Sequence, residues 1–112
     1  MVTAQGKSQH VADNGYFDHS YGDIDAFSLM EQLYNTHISG ENIIFSSETF
    51  CNNGYTIGGA QKLANKFFEL WKSSPGHNAN MLRSNFKEFG FGIAYGKYDG
   101  FDVIFGTQHF KY

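Results

Sequence analysis

The strongest constraint on the fold is an alternating run near the C-terminal end, which Asp99-Gly100 divides into two halves. Before this dipeptide, large apolar residues alternate with small ones. The large ones are Phe89, Phe91, Ile93 and Tyr95, and the small ones are Gly90, Gly92, Ala94 and Gly96. A period of two is typical of a strand, and Asp-Gly favours a two-residue hairpin turn. The sequence therefore predicts a β-hairpin in which Tyr98 pairs with Phe101.

The register of this hairpin leaves apolar side chains on both of its faces. Counting back from the turn places Gly90 opposite His109 on one face and Phe91 opposite Gln108 on the other. A sheet that is apolar on both faces needs cover on both sides. We therefore expect an α+β fold, a three-layer α-β-α sandwich around an antiparallel sheet. At 112 residues, the chain is expected to form a single domain over residues 1–112.

Two helices and a short strand are predicted in the N-terminal half. Helical spacing begins near Ala4 and stops at Asn14-Gly15, where a left-handed residue can end a helix. Asp23 is the expected N-cap of a second helix, whose apolar residues recur every three or four positions up to Tyr34. The segment 40–45 then reads as a strand, and the polar segment 46–56 as a mobile loop.

Two more helices are predicted between this loop and the hairpin. The segment 57–73 carries one apolar stripe that includes Phe67 and Trp71, with polar residues elsewhere. Pro75-Gly76 ends that helix. The segment 77–83 is expected to form a short helix with Ala79 and Leu82 facing inward.

Composition and charge exclude several classes of function. The net charge is -3 and no run of Lys or Arg is present, so nucleic acid and anionic membranes are not expected partners. No apolar run approaches the roughly 20 residues of a transmembrane helix. Residues 1–7 lack the apolar stretch of a signal peptide. A single cysteine, Cys51, cannot form an internal disulfide.

Four motifs resemble the CAP superfamily, the cysteine-rich secretory, antigen 5 and pathogenesis-related proteins. They are residues 16–20 (Tyr-Phe-Asp-His-Ser), 40–43 (Gly-Glu-Asn-Ile), the segment 71–77, and 89–92 together with 107–110. The chain is most similar to the compact, disulfide-free bacterial branch. The resemblance implies an extracellular or cell-surface location. It also implies that the N-terminal part of the first helix is lacking, since the family usually has more helix before Ala4.

The same resemblance implies a polar cavity in which His19, Glu41 and His77 converge. Gln108 is expected beside this cavity, and Ser74 stands where many relatives have a second glutamate. His109 is expected on the opposite face, as a packing residue. Two imidazoles and one carboxylate leave an open coordination position, which suits Zn²⁺ better than Mg²⁺. A metal-free cavity, in which Glu41 only accepts a hydrogen bond from an imidazole, is an equally physical interpretation.

Three kinds of function are compatible with these residues. The first is a non-catalytic binding module for a small ligand or a protein partner, in which the cavity can also take zinc. The second is a metal-dependent hydrolase that uses the same cavity. A serine nucleophile at Ser74 is disfavoured because no Gly-x-Ser-x-Gly elbow surrounds it. The third is lipid or sterol binding, for which Phe45, Phe50 and Tyr55 in or beside the polar loop are the candidates. No feature indicates a particular oligomeric state.

Overall fold

The structure is a computed structural model that describes residues 2–47 and 59–112, without the side chains of 47 and 59–64. Its elements are α1 (Thr3–Asn14), α2 (Ala26–Tyr34), β1 (Gly40–Ser47), α3 (Gly59–Lys72), α4 (Pro75–Met81), β2 (Glu88–Tyr98) and β3 (Phe101–Lys111). Four helices and an antiparallel sheet of order β1-β3-β2 in the described ranges confirm an α+β fold. Most of the predicted mobile loop, 48–56, lies outside the described residues.

The hairpin is confirmed in both its turn and its register. Asp99 and Gly100 have positive φ values of 53° and 81°, as the turn of a two-residue hairpin requires. Tyr98 pairs with Phe101, and Gly90 lies opposite His109. The central strand of the sheet is β3, because β1 pairs along its other edge.

Helix α1 covers the face of the sheet that carries His109. The Ser8 hydroxyl donates to the Gly92 carbonyl at 3.0 Å and lies 2.8 Å from the Thr107 hydroxyl oxygen. Val11 packs against Val103 and Phe105 in a buried cluster. A side chain at Gly92 would collide with the α1 backbone at Gln5. Glycine at this position therefore permits the close approach of helix and sheet.

Helix α3 covers the other face of the sheet. Phe67 and Trp71 are buried with Ile104, and the Trp71 Nε1 group donates to the Ile43 carbonyl at 3.2 Å. A Cβ atom added at Gly106 would lie 2.7 Å from the Phe67 ring. Trp71 therefore has two roles: its ring is buried in the apolar core, and its Nε1 group donates a hydrogen bond to a backbone carbonyl of β1.

The helix ends differ from the prediction in two places. Asp25, and not Asp23, is the N-cap of α2, since its Oδ1 accepts from the Ser28 amide at 2.8 Å. Helix α4 begins at Pro75, which has a fixed φ suited to a first helical turn. The inward positions predicted for this helix are wrong, because Ala79 is exposed and Leu82 is 73% exposed. Helix α4 contacts β1 partly through polar residues, since the side-chain amide of Asn80 donates to Asn42. A prediction from apolar periodicity cannot find a polar contact of this kind.

Candidate functional site

A carboxylate held by two imidazoles lies at the centre of the site. Glu41 is the second residue of β1 and only 6% exposed. Its Oε2 lies 2.7 Å from His109 Nε2, and its Oε1 lies 2.8 Å from His19 Nδ1. Because β1 pairs Glu41 with His109 across the sheet, the backbone register itself brings these two side chains together.

Hydrogen bonds and a nearby positive charge keep the carboxyl group of Glu41 ionised. Burial alone would raise the pKa of Glu41, but hydrogen bonds from His109 and His19 and the nearby charge of Lys7 outweigh it and hold this pKa below its ordinary value. An ionised carboxylate only accepts hydrogen bonds, so both imidazoles donate to it. His109 is fully buried, and its Nδ1 lies 2.8 Å from the Thr3 hydroxyl, which can donate to it.

His19 is the solvent-facing member of this network. Its side chain is 52% exposed, whereas that of Glu41 is 2% exposed. The hydrogen bond to Glu41 raises the pKa of His19, against the opposing effect of burial. Since Nδ1 donates to Glu41, the other ring nitrogen, Nε2, remains for a ligand. Among the hydrogen bonds of the described residues, none uses this Nε2.

A buried lysine joins α1 to the segment that carries His19. The Lys7 ammonium lies 3.9 Å from Glu41 Oε1 and donates to the His19 carbonyl at 2.6 Å. It also lies 5.2 Å from the centre of the Tyr16 ring. Burial lowers the pKa of Lys7, while the charges of Glu41 and Asp18 oppose that shift. Burial, together with Glu41 and other neighbours, raises the pKa of Tyr16 to about 12, so this phenol is neutral.

Lys7 was not among the predicted site residues, although the sequence contains a signal for it. It lies three positions after Ala4 and four before Val11, on the stripe that α1 turns toward the sheet. A lysine on a buried stripe requires a nearby anion. In the structure that anion is Glu41.

A polar cleft of about 360 Å³ opens beside the two residues His19 and Glu41. The other lining side chains include Asp25 and Arg83, and the amide of Asn80. Cationic and anionic groups therefore border the same space. Such a cleft can hold a small polar ligand by charge-assisted hydrogen bonds.

The predicted cavity residues His77 and Ser74 are not among the residues that line this cleft. His77 lies half-buried in α4, and its carbonyl accepts from Asn42 Nδ2 at 3.0 Å. Burial and the positive charge of nearby His19 lower the pKa of His77. No hydrogen bond found among the described residues joins its ring to Glu41. Ser74 precedes α4 as its N-cap residue, without a side-chain capping bond.

The predicted placement of Gln108 and His109 is reversed in the structure. His109 contacts Glu41, so its assignment to the opposite face was wrong. Gln108 lies on the other face, where its Oε1 accepts from Asn42 Nδ2 at 2.9 Å. The predicted register of the hairpin was correct. The face on which Glu41 lies is set by the pairing of β1 with β3, which the hairpin does not determine.

The arrangement does not present the three predicted ligands as one metal-binding set. Within the described ranges, no group of three or more His, Cys, Asp or Glu side chains is placed to hold a metal ion. Both oxygens of Glu41 face imidazoles. In this geometry Glu41 binds Nδ1 of His19 and so fixes the orientation of its ring. Carboxylates often have this role toward metal-binding histidines.

The lipid-binding candidates are only partly described. Phe45 is 46% exposed. Its ring lies parallel to that of Tyr98, with centres 5.2 Å apart, and edge-on to Phe17 at 4.8 Å. Phe50 and Tyr55 lie outside the described residues.

Comparison with known proteins agrees with the α+β fold and identifies the family. The family model of the cysteine-rich secretory protein family (CAP) matches residues 1–110, and the chain belongs to this family. It is similar to YkwD, an uncharacterized protein of Bacillus subtilis, with 32% identity over 96 residues. That match covers 80% of this chain and 30% of YkwD, so the chain spans less than a third of its relative's length.

A solved structure shares the fold at low sequence identity. An outer surface protein of Borrelia burgdorferi superposes with a TM-score of 0.55 at 15% identity. The match covers 97% of this chain and 70% of that protein. Among the residues described here, no helix has both the length and the apolar character needed to cross a membrane.

Proposed function

We propose that this chain is a non-catalytic binding module of a secreted or surface-attached protein, and that its site is the cleft beside His19. The observation that carries the proposal is the 2.8 Å contact between His19 Nδ1 and Glu41 Oε1. This contact fixes the imidazole and leaves Nε2 as a recognition group at the edge of a polar cleft. The location is supported by family membership, since CAP proteins are often extracellular.

The same geometry favours binding over catalysis by Glu41. A general base must accept a proton from substrate or water, and both oxygens of Glu41 already accept from imidazoles. The hydrolase alternative would therefore depend on His19 Nε2.

The placement of α1 against Gly92 and of α3 against Gly106 supports a three-layer α-β-α arrangement for the scaffold.

Within this proposal, Zn²⁺ is the ligand to test first. His19 Nε2 and the half-buried His77 would supply imidazole ligands, and Glu41 would orient His19 without touching the metal. A bound Zn²⁺ supplies a Lewis acid that can lower the pKa of a water molecule. The residues of this chain would hold the ion and fix the ring that binds it.

The experiment is isothermal titration of metal-stripped protein with Zn²⁺. We expect binding to be lost in His19→Ala and weakened in His77→Ala. Glu41→Gln should weaken it by about 10–100-fold, as expected for a residue that positions a ligand. His37→Ala is the matched control, because His37 is an exposed histidine paired with Glu31.

Two outcomes would contradict parts of the proposal. Absence of Zn²⁺ binding to the wild-type protein would remove the metal and leave polar organic ligands as the class to screen. Hydrolysis of peptide or ester substrates by the Zn²⁺-loaded protein, abolished by His19→Ala, would replace the binding module with a hydrolase. Circular dichroism of each variant separates loss of binding from loss of fold.

A further inference from the structure

A second cavity lies on the face of the sheet opposite Glu41, beside α3, α4 and the open end of the hairpin. Its volume is about 460 Å³, within the range of about 300–1,000 Å³ typical of small-molecule sites. Its apolar lining consists of four phenyl rings and one thioether, from Phe68, Phe86, Phe89, Phe110 and Met81. We name it the aromatic pocket.

The rings of the aromatic pocket are only partly used by core packing. Phe86 stacks on Phe110 with centres 5.1 Å apart and planes 17° from parallel. Phe89 contacts the same ring at 5.7 Å but is 56% exposed, and Phe68 is 45% exposed. Phe86 also stacks on Tyr112, with ring centres 5.2 Å apart, so Phe68 and Phe89 supply the exposed phenyl surface that a flat ring can contact.

The charges at the rim of the aromatic pocket favour an anion. Arg83 and Lys87 line it together with a single carboxylate, Glu88. The Arg83 guanidinium lies 5.7 Å from the centre of the Phe86 ring, which places its planar charge beside the phenyl stack. An arginine fork binds a carboxylate with two parallel hydrogen bonds.

A buried amide adds a hydrogen-bond donor to the lining of the pocket. Gln108 is 4% exposed, and its Oε1 is occupied by Asn42. Among the described residues, its Nε2 donates to the Met81 sulfur at 3.5 Å. Sulfur is a weak acceptor, so an oxygen atom of a ligand would be a better partner for this amide.

From these observations we propose that the aromatic pocket binds a flat aromatic carboxylate. The ring packs against the exposed phenyl groups of Phe68 and Phe89, and the carboxylate binds the guanidinium of Arg83 with support from Lys87. The Gln108 amide donates to an oxygen on the ligand. Glu41, in the His19 cleft, and Gln108, in the aromatic pocket, lie on opposite faces of the sheet. Arg83 borders both cavities.

The test uses naphthoate as the probe and naphthalenemethanol as its uncharged analogue, each titrated by calorimetry. Naphthoate should bind the wild-type protein more tightly than the alcohol. Arg83→Gln should weaken naphthoate about three- to tenfold, since an exposed charge contributes less than a buried one, and should leave the alcohol unaffected. Phe89→Ala should weaken both probes. Lys72→Gln, at an exposed lysine of α3 that does not line the pocket, is the matched control.

A second measurement locates the bound probe. In a ¹⁵N correlation spectrum, naphthoate should shift the side-chain amide resonances of Gln108 and leave those of Asn14 unchanged. Equal affinity of wild type, Arg83→Gln and Phe89→Ala for naphthoate would overturn the proposal, as would an absence of binding. Displacement of naphthoate by dodecanoate at lower concentration would assign the pocket to aliphatic chains instead. None of these results depends on Zn²⁺ binding at His19.

Discussion

At the scale of single residues, Glu41 decides what the two imidazoles beside it can do. Its Oε2 holds the buried His109, and its Oε1 holds the half-exposed His19. The pKa of Glu41 is lowered, so the carboxylate remains charged at mildly acidic pH. The two histidines therefore have different roles. His109 belongs to the interior, whereas His19 titrates in contact with solvent.

The stability provided by His19 should depend on pH in a defined direction. Its pKa is raised above the ordinary 6.5 by the hydrogen bond to Glu41. A raised pKa means that the charged pair stabilises the fold fully below pH 6.5, and that this stabilisation is lost as pH rises through the raised pKa.

The measurement is the unfolding free energy of wild type and of His19→Gln, by urea denaturation at mildly acidic and at alkaline pH. The loss caused by the substitution should be larger at acidic pH, by about 0.5–1 kcal/mol, a small value because the pair is half exposed and screened. His37→Gln, at a more exposed histidine paired with Glu31, is the matched control. A larger loss at alkaline pH would contradict the sign of the shift.

At the scale of elements, the hairpin was predictable and the position of β1 was not. Asp99-Gly100 fixes the register of β2 on β3 locally, and every predicted pair in that hairpin is present. No tight turn joins β1 to β3, so the pairing of Glu41 with His109 depends on long-range packing. A shift of one residue exchanges the two faces of a strand. The family resemblance placed Gln108 beside the cavity, and the alternation of the hairpin then placed His109 on the opposite face. Neither argument fixes the register of β1, which in the structure puts Glu41 beside His109.

The close contact between α1 and β2 requires glycine at position 92, where a side chain would not fit. Gly92→Ala should destabilise the protein by about 1–3 kcal/mol or more, because the new methyl group meets the helix backbone at Gln5, which cannot move aside like a side chain. Gly76→Ala is the matched control, since nothing lies within 4 Å of a methyl group there. The control should be neutral or stabilising by up to about 1 kcal/mol, since alanine favours a helix.

Thermal and urea unfolding of both variants tests this packing argument. If Gly92→Ala unfolded like the wild type while Gly76→Ala lost stability, α1 would not approach β2 as closely as the structure has it. A parallel loss of the near-ultraviolet circular dichroism signal would show that the aromatic clusters depend on this contact.

At the scale of the whole molecule, Lys7 connects parts of the chain that are far apart in sequence. From α1 it reaches the carbonyl of His19, the carboxylate of Glu41 on β1 and the ring of Tyr16. Glu41 continues this path through His109 on β3 to Thr3, which returns it to α1. The position of His19 at the edge of the cleft is therefore set by a closed loop of polar contacts as well as by the sheet.

Breaking this loop at Lys7 should loosen the His19 segment before it affects the sheet. Lys7→Met keeps much of the buried volume. Glu41 keeps its two imidazole partners and is not left as an unpaired buried charge, so we expect a destabilised but folded protein. The segment 15–25 loses its anchor at the His19 carbonyl, and its amides should exchange with deuterium several-fold faster, while β2 and β3 remain protected. Gln9→Met, at an exposed position two residues along the same helix, is the control. Unchanged exchange over 15–25 in Lys7→Met would mean that the sheet alone positions His19. Faster exchange throughout β3 would instead mean that Lys7 supports the whole fold.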